Sequence, residues 1–291
     1  MLATVAVVEA LLTIVTCFLT LLVTTAFFTQ TLRKPFTYNS VPLALLFAAR
    51  SMSALVFICL GAQLVFYSLK WIDNSPKYTL PFVFSSMCAH SVGSFCDLAT
   101  IGVFVQRTFI LTYPLKPTVL MSKTVVLVVM IVACLSASVT FYFNLSSYRV
   151  VPHPFSKGCY AFNCLDSLGP AGRNSDLAVR VIFALTMTIS GSIFVFAFHR
   201  SKNHFACLRE TKINKCVRSM FIVRSSVIFG YFIPDYVLMN TTGKNVSFYL
   251  GPYIILLASM DGLSSSLVYF YVLVQNKKKV FRMGRRNAIV G

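Results

Sequence analysis

The chain has 291 residues, 57% of them hydrophobic, with 26 Lys and Arg against 8 Asp and Glu and a net charge of +18. So apolar a composition excludes an ordinary soluble domain. The basic balance does not indicate a nucleic-acid binder either, because the cations lie between long apolar runs rather than on one soluble face.

A helix of about twenty residues spans the roughly 30 Å hydrocarbon core of a bilayer, so apolar stretches of that length read as membrane spans. Seven are expected in chain order, at 6–28, 43–69, 81–111, 125–143, 178–198, 220–238 and 248–274, forming one all-α membrane domain over 1–291. The first run has no basic segment before it and is followed by Arg33 and Lys34, so it reads as a retained helix rather than a cleaved signal.

Lys and Arg are retained on the cytoplasmic side of a membrane. With the N-terminus outside, the inner segments carry 18 cations, including seven from Arg200 to Arg224 and six from Lys277 to Arg286. The outer segments carry 7, among them Arg180, and Arg50 within span two completes the count. The C-terminus is therefore expected inside. The three Asn-x-Ser/Thr acceptors, Asn144, Asn240 and Asn245, fall on the same outer side. Cys159 and Cys164 lie in the long second outer segment, where a local disulfide or a pairing with Cys88 is expected.

Enzymatic chemistry finds little support. The four histidines are scattered, with His90 alone in span three, and there is no phosphate loop, nucleophile elbow or CxxC, so neither a cofactor nor a metal is expected. Ionisable groups inside a membrane are costly and mark function. Arg50 is near enough to the inner end of span two to snorkel to the interface. Asp97 and Asp261 are near mid-span, with Ser91, Ser94, Ser264 and Ser265 available as hydrogen-bond partners, and read either as protonated, packed acids or as a cation-linked or proton-linked switch. Asp235 follows Pro234, whose missing N–H bends span six near the outer surface beside Tyr231, Phe232 and Tyr236.

The stretch "QRTFILTYPL" at 106–115 places Arg107 at the inner end of span three and Pro114 seven residues later. With "YFIP" at 231–234 and "SSLVY" at 265–269, this pattern resembles the rhodopsin-like G-protein-coupled receptors. Within them it looks most like the nematode serpentine chemoreceptors, class BC. The chain departs from that pattern at Gln106, where the family has an acid, and keeps only Tyr269 of the motif ending span seven. The resemblance implies a glycosylated, multi-pass sensory receptor of the plasma membrane or sensory cilium, used in olfaction, with a small-molecule ligand outside and a heterotrimeric G protein inside. It implies ligand contacts at Ser86, His90, Phe232, Asp235, Tyr236 and Tyr253, and a switch made of Arg107, Pro234 and Tyr269. The basic inner segments suit an acidic G-protein surface or anionic lipid equally well. A second reading is a small membrane transporter or channel, with Asp97 and Asp261 on an ion path.

Overall fold

The computed structural model describes residues 2–32, 41–73, 75, 77, 79–113, 118–146, 148, 170–201, 208–242 and 247–289. These residues form seven long helices and one short one. In chain order they are α1 (Leu2–Leu32), α2 (Val41–Ser68), α3 (Thr79–Thr112), α4 (Thr118–Ser146), α5 (Pro170–Ser201), α6 (Leu208–Thr242), α7 (Ser247–Leu250) and α8 (Tyr253–Ile289).

Six of the helices are long and apolar enough to cross a membrane, at Ala3–Thr29, Val41–Ser68, Leu80–Thr112, Val119–Ser146, Ala178–Ser201 and Tyr253–Tyr271. Their outward faces are apolar as well: Leu127 and Leu135 on α4, and Ile182, Ile189 and Phe196 on α5, are exposed. Water would penalise so much contiguous apolar surface, whereas lipid does not. The chain is therefore built as a multi-pass membrane protein. The remaining long helix, α6, begins with the polar run "LRETKINKCVRS" and carries Arg224 further along, which sets it apart from the other six.

The last expected span begins later than the sequence suggests. Gly251 has φ +69°, in the left-handed region that favours glycine, and Pro252 brings no backbone N–H. The chain turns there, separating α7 from α8. By contrast, α6 continues through Pro234 to Thr242.

α3 is the central helix, touching α2, α4, α5 and, sparingly, α6, while α1 packs on α2 and α8 and α6 packs mainly on α8. Small residues set the closest approaches, as lipid-embedded packing favours. Gly61 of α2 faces the Ala10 carbonyl and the Ile14 side chain of α1, and Gly102 of α3 faces Val125 and Val129 of α4. Single polar contacts pin neighbouring helices: the Thr16 and Ser259 hydroxyls at 2.6 Å join α1 to α8, and the Ser51 hydroxyl donates to Thr24 Oγ1 at 2.9 Å from α2 to α1. In the core, Phe104 stacks on Phe194 at 6.0 Å and meets Phe221 edge-on at 5.8 Å, which joins α3, α5 and α6.

The Phe221 ring fills the notch left by Gly191 of α5, so a Cβ at Gly191 would collide with the ring. Gly191→Leu is expected to lower the thermal midpoint of the purified chain, at a cost of about 1–3 kcal/mol of overpacking. Gly230→Leu, where a Cβ meets nothing within 4 Å, should leave the midpoint unchanged.

Candidate functional site

The site is built on α3. Residues 86, 90, 93 and 97 recur at helical spacing and share one face of it. Ser86 is buried, and His90, Gly93 and Asp97 are only partly covered although the helix lies at the centre of the bundle. A Cβ added at Gly93 would meet nothing within 4 Å, so this face borders open space.

Two contacts bound that space. Toward the N-terminus of α3 the Arg180 guanidinium of α5 reaches His90, with Nη2 2.6 Å from Nδ1 and 2.8 Å from Nε2. Arg180 is on the same stripe of α5 as Phe183 and Met187, which are buried, and so it turns inward. Toward the C-terminus of α3 Arg224 of α6 donates through Nη2 to Asp97 Oδ1. Its Nη1 donates to Asp261 Oδ2 of α8, and Arg50 Nη1 of α2 reaches the same oxygen at 3.0 Å.

These four side chains form an alternating row, Arg50, Asp261, Arg224, Asp97, that ties α2, α8, α6 and α3 together with no net charge. Asp261 is fully buried, Arg50 is 5% exposed, and Asp97 is the open end at 26% side-chain exposure. The Ser265 hydroxyl donates to Asp261 Oδ1 at 3.4 Å. Nε and Nη2 of Arg50 and Nε of Arg224 are buried and make no hydrogen bond among the described residues, so the row is incompletely satisfied.

Two expectations are corrected here. Arg50 does not snorkel to the interface; it is drawn inward because Asp261, one of the bundle's two central acids, gives it a partner in low dielectric. The partners of Asp97 and Asp261 are chiefly arginines rather than serines: Ser264 instead donates to the Asp261 backbone carbonyl at 3.1 Å. Arg224, counted among the basic inner residues, is buried within α6.

Near the C-terminal end of α3, Arg107 is 3% exposed; Tyr269 of α8 is also buried and meets Phe47 edge-on at 6.0 Å. Gln106 turns away, donating to Ser122 Oγ of α4 at 2.7 Å. Of the other expected residues, Pro234 and Tyr253 are half-buried and Asn240 is exposed in the last turn of α6. The Asn144 side chain is 1% exposed in α4 and donates to the Thr140 carbonyl at 2.8 Å, so that nitrogen is not presented for glycosylation. Cys159, Cys164 and Asn245, and the side chains of Phe232, Asp235 and Tyr236, lie outside the described residues. Among the described residues no three His, Cys, Asp or Glu side chains gather where a metal ion would sit.

Sequence reasoning missed Arg224, Arg180 and Glu9. The signal for Arg224 was present: a single cation inside the apolar run "MFIVRSSVIFGYF", the pattern that singled out Arg50. Glu9, on α1, holds Oε2 buried beside Gly251, with no hydrogen-bond partner among the described residues. Comparison with known proteins finds no matching family model and no matching curated relative.

Removing one member of a buried pair leaves the other charge uncompensated, at about 3–5 kcal/mol. Arg224→Gln is therefore expected to lower the thermal midpoint markedly, and Asp97→Asn added to it should restore part of the loss. A single variant as stable as the native chain would show that the pairs do not hold the bundle.

Proposed function

We propose that the chain is a seven-helix chemosensory receptor, N-terminus outside, that binds a small molecule in the outer half of the bundle and activates a heterotrimeric G protein inside. In this reading α6 is a membrane span too, the sixth of seven, and the protein resides in the plasma membrane, in sensory cells at the cilium. The observation that carries the reading is the row of buried charges: α6 touches α3 sparingly, yet Arg224 ties it to carboxylates of both α3 and α8. An arginine held by two acids, with a buried donor left over, has two available arrangements, and ligand binding shifts the balance between them only if it favours one.

The freed carbonyl behind Pro234 gives α6 its hinge. Movement there would uncover Arg107, which is buried at the inner end of α3, and let it contact the G protein. The receptor performs no bond chemistry. The pairing of Asp97 and Asp261 with arginines weighs against an ion path, because a permeating cation would have to compete with two fixed guanidinium groups.

The test is nucleotide exchange on purified G proteins by the reconstituted chain, screened against small metabolites and odorants. Ligand-dependent exchange is expected, and Arg107→Ala should reduce it by tenfold or more while ligand binding persists. Ion flux across the same vesicles, abolished by Asp97→Asn and accompanied by no exchange, would instead favour the transporter.

A further inference from the structure

We propose that the seam of α3, α4 and α5 binds one anionic phospholipid, with an acyl chain in a groove beside Val105 and the head group on Arg200. The proposal uses the placement of the chain in a membrane and is independent of the receptor reading. A groove of about 260 Å³ runs between these helices, its walls including Val105, Thr108 and Thr112 of α3, Met121 of α4, and Ser190 and Ile193 of α5. Val105 and Thr112 are seven residues apart, about 10 Å along the axis, or a third of the hydrocarbon thickness of a bilayer.

Three of these residues carry hydroxyls, yet the groove is apolar. Thr108 Oγ1 donates to the Phe104 carbonyl at 2.9 Å, Thr112 Oγ1 to the Thr108 carbonyl at 2.9 Å, and Ser190 Oγ to the Met187 carbonyl at 3.1 Å. Each hydroxyl is spent within its own helix, and the wall left to the groove is hydrocarbon. Val105 is 39% exposed and Ile193 52%, so the groove opens on the lipid side rather than into the bundle. That form suits an acyl chain and not a polar ligand.

The mouth of the groove is cationic. The Ser201 hydroxyl donates to the Leu111 carbonyl at 3.3 Å, which fixes the end of α5 beside the end of α3. Residues 193, 197 and 200 fall on one stripe of α5, so Arg200 follows Ile193 about 10 Å further along the helix. Arg200 is exposed and has no ion pair among the described residues. The chain carries no Asp or Glu from 177 to 209, whereas Lys116 and Lys202 lie in the adjoining segments. Each cation near a membrane surface adds attraction for anionic lipid. A free anion would meet Arg200 and leave the groove empty, and a neutral lipid would fill the groove and leave Arg200 unmet. A phospholipid with a negative head group does both.

The experiment places the full chain in phosphatidylcholine nanodiscs containing a small fraction of phosphatidylglycerol with a photoreactive group on one acyl chain. Cross-linked peptides are located by mass spectrometry, and photoreactive phosphatidylcholine is the neutral control. Phosphatidylglycerol should label α3 around Val105 and α5 around Ile193 about fivefold more than the neutral lipid, the ratio for one cation near the surface. Arg200→Gln should remove that preference and Arg200→Lys should keep it. Thr112→Phe, at an exposed position, fills the groove and should abolish labelling around Val105 while the thermal midpoint stays unchanged.

Equal labelling by the two lipids at both sites, or a preference that survives Arg200→Gln, would overturn the proposal. Competition by cholesterol but not by unlabelled phosphatidylglycerol would assign the groove to a sterol instead. Label present in discs holding one copy of the chain and absent in discs holding two would assign it to a second copy.

Discussion

A charge inside a bilayer must be paired, and in this bundle the pairing runs through one guanidinium. Arg224 is shared between Asp97 of α3 and Asp261 of α8, and Asp261 is shared in turn with Arg50 of α2. Desolvating four ionised groups offsets most of what their attraction returns, so such a row contributes more to specifying which helices meet than to net stability. Helix α6, with a polar first half and slight contact to α3, depends on it most.

The row meets α3 at Asp97, between His90 and Arg107. On α3, His90 lies in the N-terminal half, Asp97 near the middle and Arg107 near the C-terminal end, so one helix carries the candidate ligand contact, the α6 tie and the candidate G-protein contact. From His90 to Arg107 is 17 residues, about 25 Å along the axis. Of these positions Asp97 touches α6, through Arg224, and His90 touches α5, through Arg180. The aromatic cluster of Phe104, Phe194 and Phe221 lies where α3, α5 and α6 meet and gives the inner half a second, uncharged contact.

Much of the fold was legible in the sequence because hydropathy and length act locally: six of the expected spans reappear among the described residues as apolar helices, most of them a few residues longer and the last one shorter, at Tyr253–Tyr271. Span seven was set too early because its first residues contain the turn at Gly251 and Pro252, which an apolar average hides. The site was half legible. Asp97 and Asp261 were recognisable as costly mid-span acids, and both are ion-paired inside the bundle. Their partners were not recognised, because a pairing between residues 37 or 127 positions apart depends on helix rotation, which no local pattern fixes. Arg224 was absorbed into a basic segment and Arg180 into an outer one, although each lies close to or inside an apolar run. Glu9 was overlooked beside the stronger signal of a long first helix.

The most direct test of the role of the ion pairs is a distance. Spin labels at Thr112 of α3 and Lys215 of α6, both exposed, would be placed on a cysteine-free background and read by pulsed electron resonance. If Arg224 ties α6 to the bundle, the native chain gives one narrow distribution, and Arg224→Gln without ligand broadens it toward longer distances. An unchanged distribution in that variant would mean that packing alone holds α6, contradicting the role given to the buried charges.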